Sequence, residues 1–256
     1  MKKTCLVTGA NSGIGKEISL ALAKAGAHVI MVCRNEEKGR AAQAEIKALS
    51  SSQAVDLLIA DLSSQSSIKS LAKTINERYA ALHVLINNAG LVLAKKTLSE
   101  DGIEMTLATN HLGPFLLTTL LLDLMKKHHS RIINISSAIH KWTKIDLNDL
   151  QFEKRKYRFM RAYAQSKLLM NITTFELARQ LAGTNITVNC IHPGVVRTNL
   201  GSSNAKNLAV KFLDKAIKLF FTSPKRAAQF PFCLAMSSEM DHITGQYFVK
   251  GKPAKA

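Results

Sequence analysis

Short apolar runs alternate with longer segments of helical spacing along the whole chain, and this alternation restricts the fold more than any other feature. Strand-like runs lie near 4–8, 28–33, 55–60, 83–87, 131–136 and 186–191, with a last short one at 246–249. Helical spacing marks 14–25, 36–49, 65–79, 101–127, 162–182 and 224–237 between them. Such repetition predicts right-handed strand–helix–strand crossovers and an α/β fold. The expected architecture is a single doubly wound parallel sheet of about seven strands with helices on both faces, a Rossmann fold. Unbroken β-branched runs such as Ile133–Ile135 suit strands covered on both sides. In a sheet of this kind the loops after the strands share one crevice, where ligands bind.

The 256 residues, 46% hydrophobic and 21% charged, suffice for a sizeable core, and no Pro/Gly-rich linker divides them. Residues 1–256 therefore read as one domain. The run after Lys2 and Lys3 is too short for a signal peptide and no apolar stretch reaches spanning length, so a soluble, cytoplasmic protein is expected. Cys5, Cys33, Cys190 and Cys233 have neither metal-ligand nor redox spacing, and the His128–His129 pair lacks acidic or thiol neighbours, so no metal is expected. The net charge of +17 is spread along the chain and not interleaved with aromatics. That distribution argues against nucleic acid as a partner, and an anionic cofactor accounts for only part of it.

The first strand runs into Thr8-Gly-Ala-Asn-Ser-Gly-Ile-Gly15 and straight into a helix. Gly9 permits a tight turn, and Gly13 and Gly15 allow close approach to phosphate and of helix to strand. With Asn11, Ser12 and Ile14 between them, the loop would present free N–H groups of a helix start to a pyrophosphate. The second strand ends in Cys33, Arg34 and Asn35, where an NAD site would carry a carboxylate for the ribose. Arg34 can instead grip a 2′-phosphate, which favours NADP(H). Asp61 and Leu62 follow the third strand, near the adenine, and Asn87-Asn88-Ala89-Gly90 makes a sharp turn after the fourth.

The strand at 131–136 stops on Ser136 and Ser137. Serine makes turns, but a hydroxyl at the end of a parallel strand also faces the crevice. Tyr163 and Lys167, four residues apart, share one helix face. These features, with "HPG" at 192–194, resemble the short-chain dehydrogenase/reductase family over essentially the whole chain. "VCRN", "ATNHLGPFLLT", "INISSAIH" and "AYAQSKL" look like its retinol dehydrogenase and carbonyl reductase branch, as does "DLNDLQFEKRKY" inserted between Ser137 and Tyr163.

The resemblance implies that Tyr163 is the general acid/base and that Lys167 lowers its pKa and holds the nicotinamide ribose. It implies that Ser137, matching the family's motif where Ser136 does not, binds the substrate oxygen. Asn110 would complete a proton relay to Lys167, or else satisfy backbone groups beside a kink. Pro193, Gly194, Val196 and Thr198 would border the cofactor, and Ile139, His140 and Trp142 would join Ser137 and Tyr163 at the substrate.

The implied activity is NADP(H)-dependent hydride transfer to or from a lipophilic, retinal-like aldehyde or ketone. Hydroxysteroid oxidation, reduction of a tetrapyrrole double bond and a non-catalytic NADP-sensing role remain as alternatives. Residues 199–222 are the expected substrate cover. Within them, 204–221 form an amphipathic segment that could pack on the domain, act as a lid or touch anionic lipid weakly. The oligomeric state is left open.

Overall fold

The computed structural model describes residues 2–194 and 222–256. The expected positions Val196 and Thr198 and the segment 204–221 lie outside the described residues.

The elements follow the periodicity closely. Strand β1 (Thr4–Thr8) leads to α1 (Gly13–Lys24), β2 (His28–Cys33) to α2 (Glu36–Ser50), and β3 (Val55–Ile59) to α3 (Gln65–Arg78). After β4 (Val84–Asn87) comes one long helical stretch in three parts: α4 (Met105–Leu107), a π-helical turn (Ala108–Leu112) and α5 (Gly113–Lys126). Strand β5 (Ser130–Ile135) ends in a 3₁₀ turn (Ala138–Trp142), and α6 (Phe159–Gln180), β6 (Ile186–His192), α7 (Pro224–Met236) and β7 (Tyr247–Val249) follow.

The described residues form eight strands, not about seven. The order is β3-β2-β1-β4-β5-β6-β7-β8, parallel from β3 through β7. The extra strand, β8 (Lys252–Ala254), turns back through Lys250 and Gly251, both at positive φ, and pairs antiparallel with β7. Its three residues are exposed and have no apolar period, which is why the sequence pattern does not show it.

Side-chain alternation along the strands divides the core. Val7, Met31, Ile86, Ile133, Ile135 and Ile191 pack under α1, α2 and α7. Leu6, Ile30, Leu85, Ile132 and Val188 pack under α3, α5 and α6. By length and composition Met105–Lys126 could span a membrane, but here Leu117, Leu121, Leu124 and Met125 are buried against the sheet. A buried polar ladder crosses the same face. Asn87 donates to Thr118 Oγ1 at 3.1 Å and to Asn134 Oδ1 at 2.8 Å, and Asn134 donates to Thr174 Oγ1 at 2.8 Å. These bonds fix α5 and α6 to the centre of the sheet, where apolar contacts alone would permit sliding.

Candidate active site

The strand order reverses between β1 and β4, so their following loops border one crevice at the carboxyl edge of the sheet. Gly9 and Gly13 stand at φ 65 and 55. A Cβ at Gly9 would lie 2.9 Å from the Ala89 Cα, and one at Gly15 would strike the Gly9 carbonyl and the Asn88 amide. The glycines thus let two loops and a helix start meet. The N-cap Ser12 makes no side-chain bond, which leaves the first-turn N–H groups of α1 without a side-chain cap. Thr8 Oγ1 accepts from the N–H groups of Asn88 and Ala89, both at 3.0 Å. The Asn88 side chain donates to the carbonyls of Thr8 and Gly9 at 2.8 and 3.3 Å. Through Nδ2, Asn88 therefore holds the glycine loop.

Two other expected cofactor residues also have local structural roles. Asn35 Oδ1 accepts from Lys38 N at 2.8 Å as the N-cap of α2. The Leu62 side chain is buried in the core between α3 and α5. Arg34 stays largely exposed, with one 3.5 Å contact to Asp61. Burial pushes the Asp61 carboxyl up, but the Ser63 hydrogen bonds and Arg34 outweigh it and hold it below the usual range.

Ser137, Tyr163, Lys167 and Asn110 come together at the end of β5. Lys167, 4% exposed, donates from Nζ to the Ile135 carbonyl at 2.8 Å. Its Nζ stands 5.8 Å from the centre of the Tyr163 ring. A Cβ at Gly90 would sit 3.4 Å from Asn110 Oδ1 and 3.7 Å from Lys167 Nζ, so glycine keeps this corner open. Asn110, in the π turn and fully buried, accepts from Leu91 N at 2.8 Å and donates to Leu91 O at 2.9 Å and Ser166 Oγ at 3.1 Å. Its side chain satisfies backbone beside a helix irregularity, one of the two expected roles. Ser166, which sequence reasoning passed over, ties Asn110 to the Tyr163 carbonyl at 2.8 Å.

Burial raises the Tyr163 phenol above its ordinary pKa, and the hydrogen bond from Ser137 pulls the other way without cancelling it. The expected lowering by Lys167 does not dominate. Burial also disfavours the lysine's own charge, bringing it down to about 8. Buried His111, weakened further by Lys167, falls to about 4 and is neutral at physiological pH.

Comparison with known proteins agrees with this geometry. The family model described as short chain dehydrogenase matches residues 3–209. The chain belongs to that family. It is 43% identical over 250 residues to human retinol dehydrogenase 13, covering 96% of this chain and 76% of that protein. Human retinol dehydrogenase 14 is 40% identical, with 96% and 77% covered. Among solved structures, the Pseudomonas aeruginosa RhlG/NADP active-site complex superposes with a TM-score of 0.76 at 26% identity, covering 96% of this chain and 94% of that one. A Burkholderia cenocepacia short chain dehydrogenase in complex with NADP gives 0.76 at 25% identity, covering 97% and 95%. Short-chain dehydrogenases are oxidoreductases that use a nicotinamide cofactor.

The substrate side departs from expectation at one residue. His140 is 2% exposed and turned into the protein, its Nδ1 2.7 Å from the Ser137 carbonyl and its ring edge-on to Tyr247. It does not line the crevice. Trp142 is 78% exposed, on the outer surface of the 3₁₀ turn. Ile139 is half-buried. The insertion ahead of Tyr163 is pinned from within. Buried Asp149 accepts from the N–H groups of Glu153, Lys154 and Arg155 and from Arg155 Nε at 2.9 Å. Burial pushes this carboxyl up, but Arg155 and the amides outweigh it and hold it at about 2. Tyr157 reaches Leu93 O and Glu104 Oε1, both at 3.2 Å, and Gln165 of α6 donates to Leu150 O at 2.7 Å.

The buried lysine gives a pH signature. Its folded pKa of about 8 lies below the ordinary 10.5, so between those values the unfolded chain binds the extra proton and stability rises with pH. Relative to Lys167→Met, the unmutated protein should gain about 2 kcal/mol between pH 7 and pH ~9.5 in denaturant melts. A difference that does not change with pH would contradict the burial assigned to this ammonium.

Proposed function

We propose that the protein is an NADP(H)-dependent oxidoreductase that interconverts the carbonyl and alcohol of a lipophilic, retinal-like substrate, with Tyr163 as general acid and base. The observation that carries this reading is the cluster of Ser137, Tyr163 and Lys167 at the end of β5, beside the glycine loop. The uncapped start of α1 and the loop at Gly9–Gly15 suit a pyrophosphate, and Gly90, Lys167, Pro193 and Gly194 suit the nicotinamide half. Once bound there, the dinucleotide supplies the hydride for reduction or accepts it in oxidation.

The chain's own groups handle the proton. Ser137 Oγ accepts from Ile139 N at 3.4 Å, which leaves its hydrogen free to be donated. That hydrogen reaches the Tyr163 oxygen, so the phenolic proton can point at a substrate carbonyl and be given to it during reduction. Lys167 commits one hydrogen to Ile135 O and keeps two for the ribose hydroxyls and for returning a proton to Tyr163. Asn110 is a positioning residue that ties the loop at Leu91 to α6. The retinol dehydrogenase relatives and the apolar side chains of Leu91 and Ile139, whose backbone N–H groups bond Asn110 and Ser137, favour a lipophilic substrate. Hydroxysteroid oxidation would use the same residues, so product identification over retinals, ketosteroids and simple aldehydes separates the two.

NADP(H) is favoured over NAD(H) by Arg34, exposed at the end of β2 with no carboxylate beside it on that strand. The outer surface of the 3₁₀ turn and the residues after it also support weak contact with an anionic membrane. Trp142 and Leu147, 78% and 77% exposed, alternate with Lys141 and Lys144 there. Aromatic and basic residues side by side suit the headgroup region.

Three measurements test these points. Tyr163→Phe should abolish nearly all turnover on the best substrate while leaving NADPH affinity within about threefold, because the phenol acts in the transition state; wild-type turnover in the variant removes the proposed acid. Arg34→Ala should weaken NADPH about thirtyfold and NADH little, the loss of one partly shielded charge-assisted contact. Equal affinity for both cofactors in the unmutated protein sinks the NADP assignment. Cosedimentation should show binding to anionic vesicles that fades at high salt and with Trp142→Ala, and absence of binding at low salt rules the membrane contact out.

A further inference from the structure

We infer that His140 is a positioning residue for the reaction: its imidazole, braced by Tyr247 of β7, fixes the backbone that presents the Ser137 hydroxyl. The inference rests on the role proposed above for Ser137.

A carbonyl oxygen only accepts, so the 2.7 Å contact to Ser137 O places the hydrogen of His140 on Nδ1. The His140 backbone N–H donates to the same oxygen at 3.3 Å. The strand end is thus held at three consecutive residues. Lys167 takes Ile135 O, Ser136 N donates to Ile191 O at 2.7 Å, and His140 takes Ser137 O. Of these, His140 holds the residue whose hydroxyl meets Tyr163.

With the hydrogen on Nδ1, Nε2 is a bare acceptor, and it is buried with no protein partner. The Tyr247 hydroxyl and Ser136 Oγ nearby are likewise buried and unpartnered. The Tyr247 ring meets the imidazole edge-on at 5.0 Å, a contact that steers the ring plane without bonding it. Burial, with His140 and Lys250 close by, keeps His192 on the neighbouring strand easier to deprotonate than usual. An apolar side chain would fill the His140 space without stranding a polar nitrogen. The one strong bond its ring makes is to the Ser137 backbone, so that bond accounts for a histidine here. A hydroxyl that must aim at a phenol oxygen tolerates little movement.

Isosteric variants separate the bond from the packing. The Nδ2 of Asn overlies Nδ1 of His and keeps a donor, whereas Asp has the same shape and none. His140→Asp and His140→Leu should each lose about thirtyfold in kcat, with substrate KM and NADPH affinity within about threefold, and His140→Asn should recover most of the loss. Because His140 acts through Ser137, adding His140→Leu to Ser137→Ala should cost no further activity. Circular dichroism and NADPH binding identify any variant that fails to fold, and the Asn/Asp pair then carries the comparison. Equal activity of His140→Asn and His140→Asp, a near-normal kcat in His140→Leu, or losses that add to Ser137→Ala would overturn the inference. Full activity in Ser137→Ala alone would instead bring down the parent reading of Ser137.

Discussion

A buried ammonium on a strand carbonyl organises this site. Lys167 reaches from α6 to Ile135 O, the last carbonyl of β5, and in doing so sets the height and rotation of the helix that carries Tyr163. Burying that charge is unfavourable, and the drop of its pKa to about 8 is the direct expression of the cost. The surrounding structure offsets it with neutral, rigid polar contacts. The ladder from Thr118 through Asn87 and Asn134 to Thr174 fixes α6 about two turns further along, and Ser166 ties the same helix to Asn110.

Close approach is the second constraint. The loops after β1 and β4 and the start of α1 converge within van der Waals distance at Gly9, Gly15 and Asn88, and Thr8 serves as their common acceptor. Gly90 repeats the device one layer over, leaving room between Asn110 and Lys167. Function therefore depends on absent side chains as much as on present ones. The +17 charge of the chain lies largely outside this corner, which is occupied by one ammonium and neutral partners.

The path from sequence to fold was clear where periodicity was strong. Among the described residues, the seven parallel strands and the six major helices fall within a few residues of the apolar runs, and the motif residues Ser137, Tyr163 and Lys167 do converge. Local roles were harder to read, because residue type does not reveal direction. Asn35 and Asn88 lie in cofactor-like stretches, and their side chains also serve a helix cap and a neighbouring loop. Leu62 points into the core, and His140 turns inward because a carbonyl three residues earlier lies within reach of its ring. The pairing of Asn134 with Asn87 depends on register, which a linear pattern does not carry. Strand β8 has only three residues, one of them Pro253, and no alternation to detect.

The π turn at Ala108–Leu112 adds one residue to a helical turn, which advances everything after it by about 100° around the axis. The stretch from Met105 to Lys126 is thus two helices in different phase joined without a break. The first phase aims Asn110 at the loop of Leu91; the second aims Leu117, Leu121 and Leu124 at the sheet. A perfectly regular helix could satisfy one of these orientations only by surrendering the other. The irregular turn works as a phase coupler, letting one continuous helical stretch face the Leu91 loop at one end and the sheet at the other.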